Sequence, residues 1–147
     1  MTFTTKFKPY ACSGDSITCE VDGFTVTARI EYDNDSGPPD KHDEGFWPSQ
    51  DKNAPGYMGE VSTRKFNAAH KKASKIMAAW RNDEWFFVGV VLSVEKNGVM
   101  LADHAASLWG VECNYPGANN SYLLQVANEL LDEALEHGKG ILNKLVA

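Results

Sequence analysis

Cysteine is scarce in this 147-residue chain: Cys12, Cys19 and Cys113 are the only three, and no two stand in a CxxC spacing. An odd count without such a pair reads as reduced thiols in a cytosol-like compartment. Long apolar runs are missing. The opening residues Met1-Thr2-Phe3-Thr4-Thr5-Lys6 lack the apolar core of a signal peptide. No stretch reaches the about 18 uninterrupted apolar residues of a membrane span, so a cytoplasmic protein with no membrane partner is expected. Basic residues are in deficit, with 14 Lys and Arg against 20 Asp and Glu and a net charge of −6. That balance argues against nucleic acid as the main partner, while leaving room for a local basic patch. Gly89, Gly98 and Gly110 form no phosphate-binding run. Ser107-Leu108-Trp109-Gly110 lacks the glycine before the serine that a nucleophile elbow requires.

What is present is an ordinary globular composition, 43% hydrophobic and 23% charged. A chain of this length buries about 68–70% of its unfolded surface and needs no metal or disulfide, so one domain over 1–147 is expected. The least ambiguous stretch begins at Trp85. β-branched and aromatic residues fill 85–95 and 99–103, with Asn97-Gly98 between them. Both turn residues tolerate the positive φ of a type I′ hairpin, whose twist matches its strands. Asp103-His104 then reads as a turn, and the apolar run 105–111 as a third strand returning beside the second.

Residues 3–32 also read as β-structure, with a hairpin at Asp22-Gly23. Its second arm alternates: Phe24, Val26, Ala28 and Ile30 share one face, Thr25, Thr27 and Arg29 the other. Residues 33–61 form a long connection rich in turn formers, a length that tends to be functional. Phe46, Trp47, Tyr57 and Met58 within it imply that part of it packs down. Phe66, Ala69, Ala73, Ile76, Met77 and Trp80 lie on one stripe and predict a helix over 62–82. A last helix is predicted over 121–137, capped by Asn120 or Ser121. Its inner face is Leu123, Val126, Ala127, Leu130, Leu131 and Ala134; its outer face is Gln125, Glu129, Asp132 and Glu136. Gly138 and Gly140 are expected to end or kink it near His137. Residues 141–146 would then fold back on the sheet or meet a second subunit, as in a homodimer. The expected architecture is α+β: a largely antiparallel sheet of two hairpin groups with both amphipathic helices on one face.

Charge is segregated. Residues 31–60 carry net −6, residues 61–81 net +6, residues 82–147 net −6, and residues 1–30 net zero. Asp33, Asp35 and Glu44 match positions 1, 3 and 12 of a calcium loop, but Gly37 and Pro38 occupy the positions that need an oxygen ligand and the bend-forming glycine. The flanks are not two helices either, so no metal is assigned. A solvated acidic loop or an acidic docking surface is the better reading; the docking surface is built from Asp33, Asp35, Asp40, Asp43 and Glu44 together with the outer ridge Glu129, Asp132 and Glu136, with Glu133 beside it, a ridge that reads otherwise as an ordinary solvent face. Spaced carboxylates of this kind can imitate a phosphate backbone before a basic protein groove. The helix 62–82 presents Arg64, Lys71 and Lys75, with Arg81 near its end, which reads first as a solvated face or a partner for the acidic loop and, alternatively, as a phosphate-contacting face. His42-Asp43, Asp103-His104 and the pair Cys113 with His104 are the only arrangements that approach an acid–base or nucleophile set. A reactive cysteine needs an electropositive setting, and Glu112 works against one. No catalytic residue and no cofactor is assigned.

Four stretches carry a resemblance. They are Thr27-Ala28-Arg29-Ile30-Glu31-Tyr32-Asp33-Asn34-Asp35-Ser36-Gly37-Pro38-Pro39, Trp85-Phe86-Phe87-Val88-Gly89-Val90-Val91-Leu92-Ser93-Val94, Ala106-Ser107-Leu108-Trp109-Gly110-Val111-Glu112 and Val126-Ala127-Asn128-Glu129-Leu130-Leu131. In this order the chain resembles a family of small, functionally uncharacterised proteins encoded by tailed phages and related mobile elements. The resemblance spans most of the chain, is closest from Trp80 onward and weakest over 40–65. It implies a bacterial cytosol as the setting and brings no activity or catalytic residues. The expectation is a non-enzymatic accessory protein that meets a host protein, such as a CRISPR or restriction effector, through its acidic surface. The alternative is a nucleic-acid-binding accessory protein using the basic helix.

Overall fold

The computed structural model describes residues 2–41 and 64–146. The chain divides into two compact units, Met1–Asp33 with Phe86–Ala147, and Asn34–Trp85. In the first unit, β1 (Ser16–Val21), β2 (Phe24–Tyr32), β3 (Phe86–Lys96) and β4 (Val99–Cys113) form one antiparallel sheet in the order β1-β2-β3-β4. Both hairpins turn where the sequence requires. Asp22 and Gly23 have φ of 52° and 81°, and Asn97 and Gly98 have 51° and 79°, the left-handed pair of a type I′ turn.

The C-terminal helix (Ser121–Val146) packs on one face of this sheet. Its Leu123, Val126, Ala127, Leu131, Ala134 and Leu135 join Phe24, Val26, Ala28 and Ile30 of β2 and Val88, Val90, Leu92 and Val94 of β3 in a single core. The period of 3.6 in the helix and of 2 in the strands brings these residues to a common layer. The alternate residues Phe87, Val91 and Ser93 are buried as well, as a nearly unbroken apolar strand demands. Gly89 lies under the Trp109 ring, where a Cβ would stand 2.3 Å from Trp109 Cε3.

The second unit holds a short 3-10 turn (Pro39–Lys41) and the helix Arg64–Arg81. We label the latter α1 and the C-terminal helix α2. Ala73, Ile76 and Met77 of its predicted stripe are buried, Ala69 and Trp80 are half-buried, and the Phe66 side chain lies outside the described residues. Trp85 is buried, and its Nε1 donates to the Ile76 carbonyl at 2.9 Å. The fold is α+β, as expected.

Three expectations need correction. First, the segment before β1 is not a strand. It runs as coil with Phe3, Phe7 and Ala11 buried in the core, and side-chain amides replace the ladder. Asn128 Oδ1 accepts from Phe3 N at 2.7 Å, Asn114 Oδ1 accepts from Ala11 N at 2.7 Å, and Asn120 Nδ2 donates to the Lys8 and Pro9 carbonyls at 3.1 and 3.0 Å. Second, residues 99–111 do not reverse at Asp103-His104. They belong to one 15-residue strand, β4, in which the polar pair is a bulge: Leu92 pairs with Ala106 and Val94 with Ala102, so three residues of β4 oppose Ser93 alone. Third, α2 does not end near His137. It runs through both glycines to Val146, because Gly138 serves close approach rather than capping. A Cβ there would lie 2.6 Å from Val94 Cγ1. Residues 141–146 therefore extend the helix rather than folding back.

Candidate functional site

The buried stripe of α2 fixes what its other side shows. With the core residues turned to the sheet, Gln125, Glu129, Asp132, Glu133 and Glu136 are exposed. Gln125 Nε2 donates to Glu129 Oε1 at 3.1 Å, one helical turn away. No Lys or Arg occurs between Ser121 and Gly138, and the first base of the helix beyond the ridge, Lys139, pairs with Asp22 at 3.5 Å.

Beside it, α2 and the bulged part of β4 leave an open groove of about 590 Å³. It is lined by His104, Ala105, Ala106 and Ser107 of β4 and by Glu133, Glu136 and His137 of α2. The bulge places His104 here and at the same time links it to β2. Arg29 Nε donates to Glu31 Oε2 at 2.7 Å, and Arg29 Nη1 donates to the Asp103 carbonyl at 3.0 Å and to Asp103 Oδ1 at 3.3 Å. Arg29 Nη2 lies 3.2 Å from His104 Nε2. A guanidinium only donates, so a hydrogen bond at this contact uses His104 Nε2 as the acceptor. Nδ1 is 3.4 Å from Asp103 Oδ2, too long for a well-formed acid–base dyad. One guanidinium thus answers two carboxylates and an imidazole. The side chains of Glu133 and Glu136, on α2, make no ion pair or hydrogen bond among the described residues.

The residues singled out from sequence are placed as follows. Glu129, Asp132 and Glu136 lie on the exposed ridge. Asp33 accepts from Gly110 N through Oδ2 at 2.8 Å and so braces a further register shift of β4, where residues 109–110 oppose Gly89. Asp35 is exposed, whereas Asp40 is buried at 5% relative exposure and is withdrawn from any outer acidic face. Asp43 and Glu44, with His42, lie outside the described residues. Asp35 and Asp40 belong to the second unit and the α2 ridge to the first. Lys71, Lys75 and Arg81 are exposed on α1; Arg64 opens that helix, and its side chain lies outside the described residues. His104, Ser107 and His137 were not foreseen as members of one site. The spacing of Glu133, Glu136 and His137 was visible, but their meeting with 104–107 depends on how α2 lies against β4.

Cys113 is a core thiol. It is fully buried, and Sγ donates to the Ala11 carbonyl at 3.8 Å. Burial, aided by Cys12 and Asp15, pushes its pKa up to about 12 from an ordinary 9.0, the opposite of an activated nucleophile. Among the described residues no three His, Cys, Asp or Glu side chains converge to hold a metal ion, and no helix is long and apolar enough to cross a membrane. Comparison of the chain with protein-family models, curated proteins and solved structures finds no match.

Proposed function

We propose that this protein acts by protein–protein contact, with the acidic outer face of α2 meeting a basic surface on its partner. The observation that carries the reading is the run Glu129, Asp132, Glu133 and Glu136, all exposed and without a Lys or Arg between Ser121 and Gly138. Carboxylates on a rigid helix are held at fixed spacing, which favours recognition over a loose acidic tail. With the phage-type resemblance, this supports an accessory protein of a mobile element that blocks a host defence effector, of CRISPR or restriction type, by occupying the Lys/Arg surface meant for nucleic acid.

The test is the plating of a phage on bacteria that carry one such defence system and express this chain. The expected outcome is restored plating, lost in Glu129→Lys/Asp132→Lys/Glu136→Lys although that variant keeps its melting temperature. Restoration by the reversed variant, or no restoration against any CRISPR or restriction system tried, would overturn the reading. A second reading keeps support from α1, where Lys71, Lys72, Lys75 and Arg81 are exposed. Under it the protein binds nucleic acid, with an affinity that falls steeply with salt and is lost in Lys71→Glu/Lys75→Glu.

A further inference from the structure

We infer that Cys12 and Cys113 form a redox latch: oxidation joins them in a disulfide that fastens the N-terminal coil to the end of β4. The inference is independent of the acidic-face reading. The two cysteines belong to segments that are already held together. Cys113 Sγ donates to the Ala11 carbonyl at 3.8 Å. Asn114 brackets Ala11, accepting from its N at 2.7 Å and donating to its carbonyl at 2.8 Å. Cys12 follows Ala11 and is fixed from the other side. Its N donates to Asp15 Oδ2 at 3.0 Å, and Asp15 N donates to its carbonyl at 3.1 Å. This turn is tied to β2, where Gly14 N donates to the Ile30 carbonyl at 2.8 Å and Ile30 N donates to the Asp15 carbonyl at 2.9 Å.

Peptide geometry sets Cys12 Cα about 2.8 Å from the Ala11 oxygen, so the Cys113 sulfur lies within about 6.6 Å of that Cα. In a disulfide each sulfur stands about 3–4 Å from the other residue's Cα, so a shift of at most about 3 Å in the coil at 12 meets that distance. Cys12 and Asp15 also help to hold the proton on Cys113, a charge effect that requires proximity. The oxidant is a small disulfide such as glutathione disulfide. Cys12 is exposed and Cys113 buried, so Cys12 reacts first. Its thiolate attacks one sulfur of the reagent, the reagent's S–S bond breaks, and one glutathione leaves. Cys113 then attacks the Cys12 sulfur, the bond to the second glutathione breaks, and that glutathione leaves. Each leaving thiolate takes up the proton that the attacking cysteine gave up. Two protein thiols lose two electrons in all, and one glutathione disulfide becomes two glutathiones.

The experiment incubates the native full chain with glutathione disulfide overnight at pH 8, then maps the linkages by non-reducing digestion and mass spectrometry. The expected product is a monomer lighter by two hydrogens, with Cys12 joined to Cys113 and Cys19 still open to alkylation after unfolding. Cys113→Ala should stop at glutathione on Cys12, and Cys12→Ser should leave Cys113 unmodified. In the linked chain the Ala11 amide should exchange at least about ten-fold more slowly than in the reduced chain, because the coil can no longer lift from the core by itself. A wild-type chain that stops at glutathione on Cys12, a bond between Cys12 and Cys19, a dimer joined through Cys12, or a 12–113 bond formed only in urea would overturn the latch. Unchanged exchange at Ala11 in the linked chain would overturn its fastening role.

Discussion

A methyl group added at Gly138 would lie 2.6 Å from Val94 Cγ1, whereas one added at Gly140 meets nothing within 4 Å. The two glycines sit on the same helix, so the difference isolates packing from propensity. Gly138→Ala should destabilise by about 1–3 kcal/mol through overpacking. Gly140→Ala should stabilise by about 0.5–1 kcal/mol, the helix-interior cost of glycine. Urea titration of the two variants checks both signs. Cys113 offers a second test at this scale. The folded state keeps its thiol proton up to a pKa of about 12, while the unfolded chain releases it near the ordinary 9.0. Stability from this group is therefore intact below about pH 9 and lost as pH rises toward 12, where the unfolded state binds fewer protons. Cys113→Ala should flatten the alkaline decline in melting temperature. In the native protein at pH 8, a thiol reagent should label exposed Cys12 and reach Cys113 only on unfolding.

At the scale of elements, three asparagines do the work of a missing strand. Asn114, Asn120 and Asn128 hold residues 3–11 against the sheet-and-helix layer by hydrogen bonds to main-chain atoms. Asn120 also has φ of 64° and is 5% exposed, so alanine there would mix two effects. Asn120→Gly keeps the left-handed backbone and removes only the side chain. It should cost about 1–3 kcal/mol, the range for leaving buried polar groups unpaired. Hydrogen exchange is the measurement: protection of the Ala11 amide should fall well before that of β3. The β4 bulge is the other element-scale device. It curves a long edge strand, which blunts edge-to-edge pairing, and it brings His104 to the groove.

For the whole molecule, the charge layout separates the two functional readings. Net −6 with a +6 segment at 61–81 predicts retention on an anion exchanger and flow-through on heparin at 0.15 M NaCl, where charges beyond about 8 Å are screened. Heparin retention abolished by Lys71→Glu/Lys75→Glu would instead favour the nucleic-acid reading. The hairpins, the alternation of β2 and the inward stripe of α2 were all legible, because local turn chemistry and side-chain period leave little choice. Leu130, read as inward, is only half-buried, since the stripe edge is set by how the helix rolls on the sheet.

The amino-acid order alone determined the strands around Asp22-Gly23 and Asn97-Gly98, the two amphipathic helices and the negative outer stripe of α2. These follow from φ preferences and from periods of 2 and 3.6, which act over a few residues. Only the tertiary structure decided that Asp103-His104 is a bulge and not a turn, that Gly138 is a contact and not a stop, and that residues 104–107 and Glu133, Glu136 and His137 line one groove. Each of these depends on atoms distant in the chain coming within van der Waals or hydrogen-bond range, and no local pattern encodes such a distance.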